Sequence, residues 1–217
     1  MDFPFPGSTH GLELSDWAEH TLRIVPGKAR SGTYCAEILT DGKRAGPLDL
    51  SFKAMLTRAD LHEERYDPVF TAKVNTGQRV GVWMKSEQTA PAAVTVTPFV
   101  RCAMTGETVR LPAVTLPEGE WTEVSFTVPE LDGDAAHDIG WTIATAPDVD
   151  PWVMGRVYVD DITVTGRMDY AVNFALQREE FSQLTPFSFN DGTGAREGDA
   201  MRLSAEALPY STGVQAF

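Results

Sequence analysis

The sequence is poor in cysteine and has no long apolar run. Two cysteines, Cys35 and Cys102, are too few for a disulfide-stapled scaffold and stand in no metal-binding spacing. One disulfide and two free thiols both stay open, and we favour free thiols. No apolar run approaches the roughly 18 residues that a membrane-spanning helix needs. The start, Met1–Gly7, lacks the basic and then apolar pattern of a signal peptide. We expect a soluble protein, either cytoplasmic or an extracellular piece of a longer precursor.

Basic residues are also scarce. The chain has 18 Lys and Arg against 31 Asp and Glu, a net charge of −13 over 217 residues. This balance argues against nucleic acid and anionic membranes as partners, because both are held mainly by clustered basic side chains. Apolar residues make up 42% and aromatic residues 10% of the chain, which is enough for a buried core. The composition therefore indicates an acidic globular protein, rich in glycine and proline.

The dominant sequence period is two. Apolar and polar residues alternate over 48–53, 94–97 and 124–128, which is typical of antiparallel strands with one buried face. Turn dipeptides containing glycine separate these segments. The predicted strands lie near 12–14, 21–25, 33–39, 48–54, 69–74, 79–85, 93–101, 107–112, 121–128, 139–145 and 157–164. Many short strands with regular turns predict an all-β, antiparallel β-sandwich of the jelly-roll or Greek-key type.

The chain divides near Gly166. Residues 1–166 account for one sandwich, whereas 167–217 hold strand-like segments at 169–176 and 201–205, joined by a polar, glycine-rich connection at 187–198. A segment of this length is marginal for a sandwich of its own. It consists either of additional strands on the first unit or of the truncated start of a second β-sandwich, and we favour the second.

Four motifs in order carry a resemblance to a known family. Residues 30–38 (RSGTYCAEI), 77–85 (GQRVGVWMK), 119–128 (GEWTEVSFTV) and 157–164 (VYVDDITV) are similar to strands of jelly-roll carbohydrate-binding modules. The resemblance covers about residues 1–166. It implies a galactose-binding-like β-sandwich that serves glycan-active enzymes, such as glycoside hydrolases, as an accessory domain.

A weaker resemblance concerns the longer protein of which this chain would be a part. Residues 65–70, 76–78 and 169–172 are similar to the C-terminal accessory region of some bacterial ADP-ribosylglycohydrolase-like proteins. In those proteins a sandwich of this kind is followed by a laminin-G-like or concanavalin-like sandwich. Their catalytic helical domain has no counterpart in this sequence, so the resemblance implies no hydrolase activity for this chain.

A change of parity singles out Asp160 and Asp161. The apolar residues occupy odd positions up to Val159 and even positions from Ile162, which predicts a β-bulge or a local twist at the two aspartates. Two adjacent carboxylates at a bulge repel each other unless a cation or several hydrogen-bond donors compensate them.

Calcium suits such a pair, because it accepts carboxylate and carbonyl oxygens in flexible geometry. The family resemblance implies the same, since the aspartate of this last strand commonly ligates a structural calcium near the N-terminal strand. We expect Asp160 as the first ligand and Asp161 as the second, with Asp2 or Glu13 contributing from the other end. The alternative is an exposed acidic strand end.

Sugar recognition needs flat apolar faces beside fixed polar groups. Trp83 is out of phase with the apolar residues on either side of it, so it is either a binding platform or is covered by a neighbouring loop. Trp152 and Tyr66 lie on predicted loops and are placed to frame a site at the end of the sandwich. Arg79 and Lys85 supply basic groups near Trp83.

Two other tryptophans, Trp121 and Trp141, fit the strand pattern and are expected to be structural. The sequence holds no nucleophile elbow and no phosphate-binding loop, and 31 acidic residues offer no way to single out a catalytic pair. The leading hypothesis is a non-catalytic accessory module that binds a glycan or positions a neighbouring enzyme domain of the same polypeptide. The alternatives are a purely structural or protein-interaction sandwich and, third, a sandwich-fold polysaccharide lyase or hydrolase domain.

Overall fold

The computed structural model describes residues 11–15, 20–40, 47–54, 74–88, 93–145 and 155–167, and four short strands between 187 and 216. Within the described residues, eleven strands precede Gly166: β1 (Glu13–Leu14), β2 (His20–Pro26), β3 (Tyr34–Thr40), β4 (Leu48–Lys53), β5 (Arg79–Gln88), β6 (Val94–Cys102), β7 (Thr108–Arg110), β8 (Val114–Leu116), β9 (Thr122–Thr127), β10 (Ala136–Thr145) and β11 (Gly155–Thr165). Among the described residues, no helix is long and apolar enough to cross a membrane.

These strands form two sheets. Sheet A has the order β1-β4-β10-β6-β7, with β8 also paired to β6, and sheet B has the order β2-β3-β11-β5-β9. Strands that follow one another along the chain repeatedly change sheet. Apart from β2-β3 and the pairing of β6 with β7 and β8, neighbours within each sheet therefore come from distant parts of the sequence. The predicted all-β antiparallel sandwich is therefore confirmed.

The core lies between the two sheets and is supplied by alternate residues of each strand. In β4 the buried residues are Leu48, Leu50 and Phe52, and the residues between them are only partly buried. Trp141 of β10 is completely buried, with its ring centroid 6.0 Å from that of Phe52. Burying an aromatic side chain of this size removes a large apolar area from water, so these rings contribute strongly to stability.

The strands before Gly166 match the predicted ones within a few residues, with two differences. After it, β14 matches the segment predicted at 201–205, and the segment predicted at 169–176 lies outside the described residues. The additional strand β8 was not predicted because it is only three residues long, lies between Pro112 and Pro117, and pairs with β6 alone. The strand predicted at 69–74 falls almost wholly outside the described residues, and Val74 itself lies in no strand.

Both cysteines are buried free thiols, which confirms the interpretation favoured above. Burial raises the pKa of Cys35 to about 12 and that of Cys102 to about 11, because a thiolate loses its hydration there. The two side chains belong to different sheets, β3 and β6. Both thiols therefore stay protonated and poorly nucleophilic at neutral pH.

The C-terminal strands are β12 (Phe187–Phe189), β13 (Thr193–Glu197), β14 (Ala200–Ser204) and β15 (Val214–Ala216). They form two separate two-stranded sheets, β12-β15 and β13-β14. The prediction of a polar, glycine-rich connection at 187–198 is wrong, since β12 and β13 lie there. Strand pairing uses backbone groups, so polar and glycine-containing residues take part without apolar alternation. The boundary near Gly166 stays a prediction.

Candidate functional site

The outer face of sheet B gathers aromatic and charged side chains on neighbouring strands. In β5, Val80, Val82 and Met84 are fully buried in the core. The side chains between them therefore point away from the core, because successive residues of a strand face opposite sides. We call this surface the β5 face. It consists of Arg79, Trp83, Lys85 and Glu87 of β5, Tyr158 and Asp160 of β11, Glu37 of β3, Arg23 of β2, Glu123 of β9 and the adjoining Lys28, Arg30, Trp121, Arg156 and Asp161.

Cross-strand register sets the order of these residues. Tyr158 lies between Lys85 of β5 and Glu37 of β3, and each is its direct partner. Two residues away along β5, Trp83 lies opposite both Asp160 of β11 and Glu123 of β9. Directly opposed side chains on one face are close enough to interact, so the aromatic and charged groups form one continuous surface.

Trp83 is partly buried and carries an arginine on its ring. The guanidinium carbon of Arg30, from the loop between β2 and β3, lies 3.7 Å from the ring centroid. This geometry is a cation–π stack, worth about 0.5–2 kcal/mol depending on its exposure to water. On the side that Arg30 covers, the guanidinium lies between the indole ring and any ligand. The flat surface that a ligand would meet there is therefore the guanidinium. The sequence left two alternatives for Trp83, a binding platform or a ring covered by a neighbouring loop. On the side that faces Arg30, the ring is covered by a loop residue.

Asp160 and Asp161 hold the loop that carries Arg30. The predicted bulge is confirmed, because the register between β11 and β5 shifts between Asp160 and Thr163, and Asp161 has a φ of 48°. The fully buried Asp160 accepts hydrogen bonds from the backbone N–H groups of Arg30 (2.8 Å), Ser31 (3.1 Å) and Asp161 (2.9 Å). Asp161 accepts from the Ser31 hydroxyl and from Arg30 Nη1, each at 2.6 Å.

The two carboxyl groups differ in acidity. Burial raises the pKa of Asp160 above its ordinary value, even though three backbone N–H groups donate to it. Burial acts in the same direction on Asp161, but hydrogen bonds from Ser31 and Arg30 outweigh it and lower the pKa. Asp161 is therefore the member of the pair that is more readily ionised, and it faces the positive charge.

Hydrogen-bond donors compensate the negative charges of Asp160 and Asp161. The sequence left either a cation or several donors open for this role. All four carboxylate oxygens of Asp160 and Asp161 accept hydrogen bonds, and the Arg30 charge lies beside them. Glu13 belongs to β1 in the other sheet, and Asp2 lies outside the described residues. The part of the chain that the structure describes holds no group of three or more His, Cys, Asp or Glu placed to bind a metal. These residues by themselves do not fit a calcium cage, and calcium stays a prediction.

Lys85 lies between two aromatic rings. Its Nζ is 5.0 Å from the ring centroid of Tyr158 and 5.5 Å from that of Trp121. Lys28 lies over Tyr158 as well, at 5.6 Å, and both lysines pair with Glu87, at 3.1 Å from Lys85 and 3.3 Å from Lys28. Tyr158, only 1% exposed, donates its hydroxyl to Glu87 at 3.3 Å. The polar atoms here are thus held in fixed positions over aromatic rings.

Two pKa shifts follow from this packing. Burial, together with the nearby negative charge of Glu87, raises the pKa of Tyr158 to about 12. Burial also tends to raise the pKa of Glu87, but its hydrogen bonds to Lys85 and Lys28 outweigh this and lower it. The tyrosine is therefore a neutral donor and the glutamate an anion at neutral pH.

The structure brings together three of the predicted sugar-binding residues. Trp83 and Lys85 belong to the β5 face, and Arg79 joins them through Glu123 (3.0 Å) and the Ser125 hydroxyl (2.8 Å). The other two, Trp152 and Tyr66, lie outside the described residues, so the end-on site stays a prediction.

Sequence reasoning missed two aromatic residues of this face. Tyr158 stands between two buried valines, so the parity argument applied to Trp83 also predicts that it faces outward. Trp121 was assigned a structural role, yet it is partly exposed and its ring contacts the ammonium of Lys85. Trp141, assigned the same role, does lie in the core.

No protein-family model matches the chain, and no curated protein matches it. Among solved structures, it is similar to a carbohydrate-binding module of the β-sandwich superfamily, at 16% identity and a TM-score of 0.49, covering 74% of this chain and 59% of that one. It is also similar to the CBM22-2 xylan-binding domain of Paenibacillus barcinonensis Xyn10C, at 13% identity and a TM-score of 0.49, covering 74% of this chain and 94% of that one. A third similar structure contains the CBM22-1–GH10 modules of Clostridium thermocellum xylanase 10B, complexed with xylohexaose. The identity is 18% and the TM-score 0.46, and the match covers 72% of this chain and 26% of that one.

Proposed function

We propose that this chain is a non-catalytic module that binds a glycan across the β5 face and positions a neighbouring enzyme domain of the same polypeptide. The observation that supports glycan binding is the joint placement of Trp83 and Trp121. Both are partly exposed, both lie on the outer side of sheet B, and charged side chains in fixed positions surround them.

The chemistry of this face suits a sugar ring. A pyranose presents C–H groups that pack on flat aromatic or guanidinium surfaces and hydroxyls that need hydrogen-bond partners. Trp121 and the Arg30–Trp83 stack offer the flat surfaces, and Glu87, Lys85 and their neighbours offer donors and acceptors. Because ion pairs already order these polar groups, a ligand has less side-chain freedom to remove on binding.

Affinity gel electrophoresis against neutral soluble polysaccharides tests the proposal. We expect xylan, mixed-linkage β-glucan or galactan to retard the wild-type chain. Replacing Trp83→Ala or Trp121→Ala is expected to weaken binding about tenfold, since the loss of an aromatic contact of this kind amounts to roughly 1–2 kcal/mol. Arg110→Ala is the control, because Arg110 is exposed on the other sheet. Circular dichroism checks that each variant is folded.

One observation favours the structural or protein-interaction alternative. Arg30 already stacks on Trp83, and Lys28 and Lys85 already lie over Tyr158, so cations of the chain itself occupy these ring faces. A sandwich of that kind has no need of a ligand. If no polysaccharide retards the wild-type chain, the glycan-binding proposal fails and this alternative stands. Release of reducing ends from any of the polymers would instead indicate a lyase or hydrolase.

A further inference from the structure

One end of the β5 face carries more positive than negative charge, although the chain as a whole is strongly acidic at −13. Glu37 is shared by two arginines, since it pairs with Arg23 Nε and, at 3.3 Å, with Arg156 Nε. Glu87 is shared in the same way by Lys28 and Lys85. Each of these clusters therefore holds two cations for one carboxylate.

In the Glu37 cluster the cations are also the members that water reaches, and in the Glu87 cluster Lys28 is the most exposed member. The Glu37 side chain is 5% exposed, whereas those of Arg23 and Arg156 are 53% and 49% exposed. The carboxylate thus lies beneath its partners and the guanidinium groups form the surface. A ligand that approaches this position meets positive charge first.

The two clusters lie side by side in the sheet. Arg156 of β11 is the direct register partner of Glu87, and Tyr158, two residues on, separates Glu37 from Lys85. We call the group formed by Arg23, Lys28, Lys85 and Arg156 the cationic end of the β5 face. Its two carboxylates leave a surplus of two positive charges.

The opposite end of the face has no surplus of positive charge. There Arg79 pairs with Glu123 and Arg30 pairs with Asp161, and Asp160 adds a third carboxyl group beside Arg30. The surplus is therefore confined to the end of the face that holds Lys85 and Glu37. Such an arrangement distinguishes the two halves of an extended ligand by charge.

We propose that the cationic end binds the carboxylate groups of an acidic polysaccharide, that is, a glycan containing uronic acid residues, while the tryptophans take its sugar rings. This inference rests on the glycan-binding function proposed above. Arginine binds carboxylates through paired N–H groups in a plane, and Arg23 and Arg156 both contact Glu37 through the inner nitrogen, Nε. A surplus of two charges suits spaced carboxylates, whereas the charge density of a nucleic acid calls for a larger basic surface.

The test compares a uronic acid polymer with the same polymer after its carboxyl groups have been reduced to alcohols. Glucuronoxylan and its carboxyl-reduced form are one such pair, and polygalacturonate with its reduced form is another. Isothermal titration calorimetry at low and high salt is expected to show a roughly five- to thirtyfold preference for the acidic form, which falls as salt rises.

Variants locate the preference. In Arg23→Gln/Arg156→Gln the preference is expected to vanish, so that the acidic polymer binds no more tightly than its reduced form. Lys28→Gln, a single change at an exposed lysine, is expected to lower the preference severalfold and serves as the second variant if the double one fails to fold. Arg110→Gln removes one positive charge from the other sheet and is expected to leave the preference unchanged.

Each outcome is decisive. Equal binding of the acidic and reduced polymers by the wild-type chain overturns the charge inference and leaves the glycan-binding function standing. Binding of neither polymer, nor of any neutral polysaccharide, overturns both. A preference that Arg110→Gln lowers as much as Lys28→Gln does would reflect net charge alone and would also overturn the assignment to the cationic end.

Discussion

Replacing Asp161→Asn tests whether hydrogen bonds from the β2–β3 loop stabilise the bulge in β11. Asparagine tolerates the left-handed backbone conformation nearly as well as aspartate, so the φ of 48° at this position is not the variable. The substitution removes the negative charge that lies 2.6 Å from Arg30 Nη1. It also replaces one of the two acceptor oxygens by an amide nitrogen. The variant therefore isolates the carboxylate from the backbone that carries it.

The expected loss follows from these contacts. A hydrogen bond to a charged group contributes about 1.5–3 kcal/mol when buried. The Asp161 and Arg30 side chains are partly exposed, and the remaining amide oxygen still accepts one bond, so we expect a loss of about 1–2 kcal/mol. For a chain of this size that corresponds to a fall in Tm of roughly 2–8 °C. Asp161→Ala is expected to lose about 1 kcal/mol more, because alanine is strained in the left-handed region.

Thermal melts followed by circular dichroism measure these losses. The matched control is Asp132→Asn, because Asp132 is exposed and also has a positive φ, of 51°. An Asp161→Asn melt that coincides with those of the wild type and the control would refute the reasoning. Melts in EGTA test the calcium prediction separately. A fall in the wild-type Tm that is absent in Asp161→Asn supports a bound ion, whereas an unchanged Tm leaves the hydrogen bonds as the compensation.

Two further predictions concern sheet A. Burial tends to raise the pKa of Asp138, 3% exposed, but His137 and Lys53 lower it to about 2, so Asp138→Asn is expected to cost about 2 kcal/mol in urea melts at neutral pH. This stabilisation is present above the ordinary pKa of an aspartate and is lost as pH falls through about 2. The difference in unfolding free energy between wild type and variant should therefore shrink from about pH 4 downwards, and a difference that grows there contradicts the assignment. Gly140→Ala is expected to lower stability by about 2–4 kcal/mol, since the new Cβ would lie 2.3 Å from Phe99 Cζ. Gly81→Ala, whose Cβ would meet only side-chain atoms at 3.1 Å and beyond, should change Tm far less, and equal losses would contradict the steric argument.

Parity along single strands made much of the fold predictable. Alternation of apolar residues gave the strand positions, placed Trp83 on the outer face and located the bulge at Asp160 and Asp161. These are local properties, because the side of a sheet that a residue faces depends only on its place within its own strand.

The partners across the site were not predictable in this way. The residues that compensate Asp160 are Arg30 and Ser31, which lie 130 and 129 positions away in the sequence. No spacing rule relates them, because their contact depends on β11 lying beside β3. The stacking of Arg30 on Trp83 and the two-to-one ion pairs of the cationic end follow from the same sheet order, and for that reason sequence parity did not reveal them.

The position of β11 has a consequence for synthesis. β3 and β5 are each paired with β11 and not with each other, so the inner edges of both stay open until it is inserted between them. Because translation proceeds from the N-terminus, a nascent chain carries these open edges until the segment beginning at Gly155 has left the ribosome. Until then the β2–β3 loop also lacks its hydrogen bonds to Asp160 and Asp161. Ribosome-bound chains that stop before β11 should therefore be sensitive to protease and prone to associate through strand edges, and the β5 face should be among the last parts of the sandwich to assemble.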